Sequence, residues 1–238
     1  MNGAEGTVAA ILPLYNEGSV IADLVRRMPP DIAETIVVDD GSTDDGPGLA
    51  AAAGATLVRP GGRRGVGAAI RAGIDTARTH GHWAVVILAG NGKDDPAEAP
   101  LLIARLRAGD DYVQGSRFLS GGSHRNLPLG RFVMIKGYTL VFRVLINKRG
   151  TDVTNGFRAY RLALLEDPRV DIEQTWLDHY ELEYYIHYKA MTLGYQTSEV
   201  PVSKTYPAQR RSYSKIRPFR DWWSIIRPIV LLRLGLRR

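Results

Sequence analysis

The chain has 238 residues, 31 Lys+Arg, 25 Asp+Glu and no cysteine, for a formal net charge of +6. With 45% hydrophobic and 24% charged residues it can build a core, which excludes a disordered chain, and its length suits one large α/β domain or two small ones. Without cysteine there is no disulfide, thiolate metal site or cysteine nucleophile. No stretch reaches the ~18 uninterrupted apolar residues of a spanning helix. MNGAEGTVAA has no basic region followed by an apolar run, so no signal peptide is expected. The charge is uneven. From Lys204 to Arg238 ten basic residues face one acid, Asp221, a segment of +9 behind a body of −3. Such asymmetry points to a local anionic partner, and with no DNA- or RNA-binding motif the partner is not expected to be a nucleic acid.

The predicted elements alternate through the first half. TVAAILP (7–13) reads as a strand and Glu17 to about Met28 as a helix stopped by Pro29-Pro30. ETIVVDD (34–40), a helix near 46–53, ATLVRP (55–60), a Gly/Ala-rich helix near 65–79 and HWAVVILAG (82–90) follow. Glu98–Ala108 reads as a helix and DYVQGSRF (111–118) as a strand. Short buried runs alternating with helices predict a mostly parallel sheet. The second half is less regular. Gly121–Asn126 reads as a polar loop, 129–146 as an apolar stretch in which Lys136 and Arg143 share a helical face, and 176–193 as a helix. YQTSEVPV (195–202) is a predicted strand, 203–218 a basic loop and 219–236 an apolar, arginine-bearing helix.

Ligands of parallel α/β sheets bind outside the carboxyl ends of the strands. Two such ends stand out, Pro13-Leu14-Tyr15-Asn16-Glu17 and Val38-Asp39-Asp40-Gly41-Ser42-Thr43-Asp44. Carboxylates at strand tips accept hydrogen bonds from bases and ribose hydroxyls, although DDGS is equally a good turn and N-cap sequence. Arg63-Arg64-Gly65-Val66-Gly67 opens a helix where phosphate could sit, and tight helix packing explains its glycines as well.

Taken in order, PLYNE (13–17), VVDDGSTDDG (37–46), GGRRGVGAAIRAG (61–73), AGNGKDDP (89–96), GSRF (115–118), TDVTNGFRAYR (151–161), GYQTSEVPV (194–202) and YSKIRP (213–218) resemble the family-2 glycosyltransferases of GT-A fold, most closely their dolichol- or polyprenyl-phosphate mannose synthase branch. The resemblance spans residues 7 to about 220. It implies a Rossmann-like GT-A domain over residues 1–218, a mostly parallel sheet flanked by helices; residues 219–238 follow as an amphipathic basic helix by their own spacing. It also implies roles. Pro13, Tyr15, Glu17 and Asp40 match positions lining the base and ribose, with Asp39 beside them, and Arg64 stands near the nucleotide. Arg117 and Arg131 match positions binding acceptor or donor phosphates. Asp152 and Asn155–Arg158 match the wall around the sugar. Lys204, Ser214 and Lys215 match a loop that closes over the diphosphate.

The chain departs from the family at its metal motif. The Asp-x-Asp that holds Mg²⁺ or Mn²⁺ in relatives aligns with Ala89 and Asn91, and Lys93 falls nearby. Hard divalent cations want oxygen ligands, preferably anionic. Three readings follow: Lys93 supplies the charge and no metal is needed; Asp94 or Asp95 holds a metal together with Asn91; or catalysis is lost and the chain only binds nucleotide.

The expected reaction is an inverting transfer of a hexose from a GDP- or UDP-type sugar to a polyprenyl (dolichyl-type) phosphate. Alternatives are a soluble transferase acting on a hydroxyl of a small molecule or glycan, and a silent nucleotide-binding, membrane-docking module. Lys93, Lys204 and Lys215 are the candidate cations for the leaving diphosphate; a hydroxyl acceptor needs a base, for which Asp94, Asp95 and Asp152 are the candidates. Glu181 and Glu183 read as a helix face with satisfied carboxylates or, for one of them, as an acid facing the acceptor cleft. His179 and His187 read as structural. The tail FRDWWSIIRPIVLLRLGL (219–236) suits a helix in the headgroup region of an anionic membrane, or one packed on the body or in a homodimer. These traits predict a peripheral enzyme on the cytoplasmic membrane face.

Overall fold

The computed structural model describes residues 6–206 and 222–237. Ser214 and Lys215, and with them the expected closing loop, lie outside the described residues. The elements follow the predicted alternation: β1 (Val8–Leu14), α1 (Gly18–Arg26), β2 (Glu34–Asp39), α2 (Gly46–Ala52), β3 (Thr56–Val58), α3 (Val66–Thr79), β4 (Ala84–Ile87), α4 (Ala99–Arg107) and β5 (Tyr112–Ser116). The second half gives β6 (Ser123–Arg125), α5 (Leu129–Ile146), β7 (Arg158–Arg161), α6 (Glu181–Thr192), β8 (Thr197–Pro201), β9 (Ser203–Thr205) and α7 (Trp222–Arg233).

Seven strands form one sheet in the order β3-β2-β1-β4-β7-β5-β8. The expected α/β class with a mostly parallel sheet holds: β1 pairs parallel with β2 and β4, β2 with β3, and β5 with β8. Only β7 runs against its neighbours, β4 and β5. Side-chain alternation sorts β1 into two layers. Ala9 and Ile11 pack with Ile70 and Ile74 of α3 and Leu182 and Ile186 of α6. Ala10 and Leu12 face Ile21 and Leu24 of α1 and Leu102 and Leu106 of α4. Every residue of β4 is buried, as a strand covered on both faces requires.

Three differences from the sequence reading have physical causes. RAYR forms β7 although it has no apolar run to mark it as a strand. Its Arg158 is nonetheless buried at 2% exposure, donating to the Glu183 carbonyl at 2.7 Å and the Tyr112 hydroxyl at 3.1 Å. The polar loop at 121–126 and the start of the basic loop at 203–218 contain β6 and β9, which pair with each other. Neither has a hydrophobic pattern; backbone hydrogen bonding alone defines them. The predicted helix 176–193 begins only at Glu181, after a 3₁₀ turn over Thr175–Leu177.

The described part of α7 packs on the body. Ile229 is buried with Tyr138 and Phe142 of α5 and Tyr184 of α6, and Arg227 lies 3.6 Å from the Glu181 carboxylate. On α5, Leu129, Val133, Leu140, Val141 and Val144 are exposed together with Lys136 and Arg143. No helix among the described residues is long and apolar enough to cross a membrane.

The α3 glycines serve close packing. Gly65 adopts φ +114°, and a Cβ on Gly67 would collide with the carbonyls of Leu177 and His179. Gly67→Ala is therefore expected to cost about 1–3 kcal/mol as overpacking. Gly48→Ala, which meets nothing within 4 Å on α2, is expected to add about 0.5–1 kcal/mol. Chemical denaturation of both variants checks the contrast.

Candidate active site

Two strand-tip loops build the floor of the site and knit together. Asn16 accepts from the Thr43 N–H at 2.7 Å, and its own N–H donates to Ser42 Oγ at 3.1 Å. Asp44 crosses to cap α1, accepting from Gly18 N–H at 2.8 Å. Asp39 closes its own turn by accepting from Ser42 N–H at 2.8 Å. Asp40 accepts from the N–H groups of Arg64 and Gly65 at 2.7 and 2.9 Å. Asp40 thus takes the two N–H groups that lead into α3, and the close approach of the Leu177 and His179 carbonyls accounts for Gly67 by packing.

Above these tips lies a cavity of about 490 Å³. It gathers Pro13, Tyr15, Glu17, Asp40, Asn91, Lys93, Arg117, Arg131 and Lys204, nine of the residues singled out in the sequence. Asp39, Arg64, Asp94, Asp95 and Asp152 are not among its lining residues. Arg63 and Arg64 are both exposed, and it is Arg63, given no family role, that covers the Tyr15 ring at 4.0 Å. Met134, Ile135, Tyr138 and Val141 of α5 add an apolar wall. Glu183 of α6 also lines the cavity. Its neighbour Glu181 instead meets Arg227. Positions i and i+2 on a helix point apart, so only one of the two could face the cleft. Burial pushes the Glu183 carboxyl above the usual carboxylate range, against the opposing pull of Arg158. His187 is buried between Tyr112 and Phe142, and burial holds it well below the ordinary imidazole value, as a structural histidine.

Asp152 is fully buried and grips Arg117 from two oxygens, at 2.6 and 2.7 Å. Arg117 also donates to the Tyr206 hydroxyl at 2.6 Å and to Thr154 at 2.8 Å. Lys204 donates to Asp94 Oδ1 at 2.6 Å and to Asn155 Oδ1 at 2.8 Å. Lys93 lies 5.9 Å from the centre of the Tyr206 ring and Arg131 5.3 Å from it. Burial lowers the Lys93 ammonium to about 8, reinforced by Arg131 and Lys204 and opposed by Glu17 and Asp94.

These residues do not suit a divalent metal. Asp94 has one oxygen on Lys204, and its other is buried without a hydrogen-bond partner. Asp95 turns away to Arg27, at 2.6 Å, and caps the turn at Ala97. The Asn91 side-chain Oδ1 accepts from Lys93 N–H. Asp94 and Asp95 are thus engaged by different cations, Asn91 Oδ1 is taken by a backbone N–H, and the Lys93 and Lys204 side chains both line the cavity. Among the described residues the one group whose donors converge as metal ligands do is Glu34, His80 and His82. Glu34 opens β2, at the end of the sheet away from the strand tips.

The comparisons with known proteins agree with this architecture. A family model described as Glycosyl transferase family 2 matches residues 9–168. A polyprenol monophosphomannose synthase of Mycolicibacterium smegmatis is 31% identical over 203 residues, 82% of this chain and 76% of that protein. An undecaprenyl-phosphate mannosyltransferase of Micrococcus luteus is 28% identical over 82% of each chain. Among solved structures, glucosyl-3-phosphoglycerate synthase from Mycobacterium tuberculosis, in complex with Mn²⁺, UDP and phosphoglyceric acid, superposes with a TM-score of 0.71 at 21% identity. That match covers 99% of this chain and 81% of that one and speaks to the fold.

Breaking a buried ion pair strands the remaining charge. Asp152→Asn is expected to lose about 3–5 kcal/mol of stability, whereas Asp95→Asn, at a half-exposed pair, should lose about 1 kcal/mol or less. Urea unfolding of the two variants measures both.

Proposed function

The chain belongs to glycosyl transferase family 2, and from that premise we propose that it moves a hexose from a nucleotide-sugar donor to a polyprenyl phosphate with inversion. The observation that carries this reading is the make-up of the cavity. Strand-tip carboxylates and a cluster of cations share it with an apolar wall from α5, and Val141 belongs both to that wall and to the exposed face of the helix. A donor and an acceptor of those chemistries need such a site. The mannosyl transferases among the relatives carry polyprenol and undecaprenyl phosphate in their names.

In this reading Glu17 and Asp40 accept hydrogen bonds from the donor's base or ribose, and Pro13 and Tyr15 wall the base. Arg117, itself fixed by Asp152 and Tyr206, lines the cavity and orients the acceptor phosphate. An acceptor oxygen attacks the anomeric carbon. The new C–O bond forms as the bond to the donor's β-phosphate breaks, and the electron pair leaves on the nucleoside diphosphate. A phosphate oxygen is already anionic near neutral pH, so no proton has to be removed. The exposed apolar residues of α5, with Lys136 and Arg143 beside them, support docking against an anionic bilayer where such a lipid resides. The basic tail adds to that attraction.

Glu183 supports a second reading, transfer to a hydroxyl, because a cavity-lining carboxyl with a raised pKa can act as a base. Glu183→Gln separates the two. With a lipid-phosphate acceptor its turnover should stay within about tenfold of the parent, whereas loss of a required base costs roughly 10²–10⁴-fold. Transfer of radiolabelled sugar from GDP- and UDP-sugars into an organic-extractable product is the assay. Label confined to a water-soluble glycoside, abolished in Glu183→Gln, would establish the hydroxyl reading instead.

The lowered Lys93 value gives a pH dependence. An anion bound there favours the protonated ammonium, so affinity should be full below about 8 and fall as the proton is lost above it. The terminal phosphate, with its second ionisation near ~6, contributes no change in that window. Calorimetric titration of UDP or GDP from neutral to alkaline pH should show the decline, and Lys93→Arg, whose guanidinium keeps its proton, should flatten it.

A further inference from the structure

We propose that Lys93, Lys204 and Arg131 are a built-in cation site that receives the donor's diphosphate in place of a divalent metal. This rests on the reading of the cavity as a nucleotide-sugar site and deepens it, because it says what neutralises the leaving group.

The three cations come from separate parts of the chain. Lys93 sits in the loop after β4, Arg131 in the first turn of α5 and Lys204 in β9, and all three line the one cavity. Their positions are fixed by the fold. Asp94 and Lys204 form an antiparallel bridge, and Thr205 N–H donates to the Lys93 carbonyl at 2.9 Å, so the loop of one ammonium is laced to the strand of the other. The Tyr206 ring, next along the chain, lies under both Lys93 and Arg131. Its hydroxyl is held by Arg117, which Asp152 holds in turn. The cations are thus oriented before any ligand arrives, which is the condition for electrostatic stabilisation without reorganisation.

Two further observations point to an anion. Arg131 Nε is buried with no hydrogen-bond partner among the described residues, a donor awaiting an acceptor. The ammonium of Lys204 has two of its three protons placed on Asp94 and Asn155 while it also lines the cavity. The same arrangement opposes a metal. Mg²⁺ and Mn²⁺ need several oxygen donors. Here the Asp94 carboxylate is engaged by an ammonium, and Asp95 faces Arg27. When the anomeric C–O bond breaks, the electron pair arrives on the diphosphate, and fixed ammonium and guanidinium groups meet the added charge.

The test is calorimetric binding of UDP and of GDP to the full chain, stripped on a chelating resin and checked for residual metal by mass spectrometry. Titrations are run in excess EDTA, in MgCl₂ and in MnCl₂. The expected result is binding in EDTA within about threefold of that with either metal. Loss of a charge-assisted contact is worth roughly tenfold or more in affinity, so Lys93→Gln, confirmed as folded by its near-UV spectrum, should weaken binding by at least that factor in all three buffers. Binding that tightens about tenfold or more with Mn²⁺ or Mg²⁺ would overturn the cation site and leave the nucleotide-sugar reading standing; this arm needs no variant. Unchanged affinity in Lys93→Gln would also overturn it. Failure of both nucleotides to bind in every buffer would overturn the proposal and the reading beneath it together.

Discussion

The contact between Lys204 and Asp94 organises the site. It joins two segments 110 residues apart, and both side chains are at least nine-tenths buried. Around it the backbone closes. Ser203 N–H donates to Glu98 at 2.9 Å, Thr205 N–H to the Lys93 carbonyl, and β9 pairs onward with β6. A buried pair of this kind is weak as a source of stability, because desolvation offsets the attraction, but removing one partner leaves a costly charge behind. Its consequence here is positional. It fixes the loop that carries Lys93 against the strand that carries Lys204, and so concentrates positive charge above the strand tips.

The sheet was legible in the sequence because its signal is simple. Runs such as AAIL and IVVD are buried on both faces, and nothing else accounts for such runs between amphipathic helices. The candidate site was legible as motifs but less so as residues. VVDDGSTDDG marked a strand tip that matters, yet of its carboxylates only Asp40 reaches the cavity wall, while Asp39 and Asp44 build turns and caps. Adjacent residues at a strand end point in opposite directions, and a shift of one position changes which of them meets a ligand. Arg63 and Arg64 repeat the lesson, since Arg64 matched the family position while Arg63 stacks on Tyr15.

Other features were hidden for physical reasons. β7 begins and ends in arginine, and its burial depends on partners supplied by α6 and β5. Glu183 could not be told from Glu181 until the direction of the helix face was known. The altered metal motif was plain in the sequence. The fates of Asp94 and Asp95 were not, because they are decided by Lys204 and Arg27, remote along the chain. The net charge of +6 was uninformative as a total. Its distribution carries the meaning, since four of the basic residues, Lys93, Arg117, Arg131 and Lys204, are gathered in one cavity.

That side-chain cations, and not a bound metal, face the diphosphate of the donor is open to direct observation. A crystal structure of the chain grown with a nucleoside diphosphate and MnCl₂, with anomalous data collected at the manganese edge, tests it most directly. Diphosphate oxygens should lie within hydrogen-bonding distance of Lys93, Lys204 and Arg131, with no manganese peak beside them. A manganese ion bridging the diphosphate and Asp94, with Lys204 displaced from that carboxylate, would contradict it.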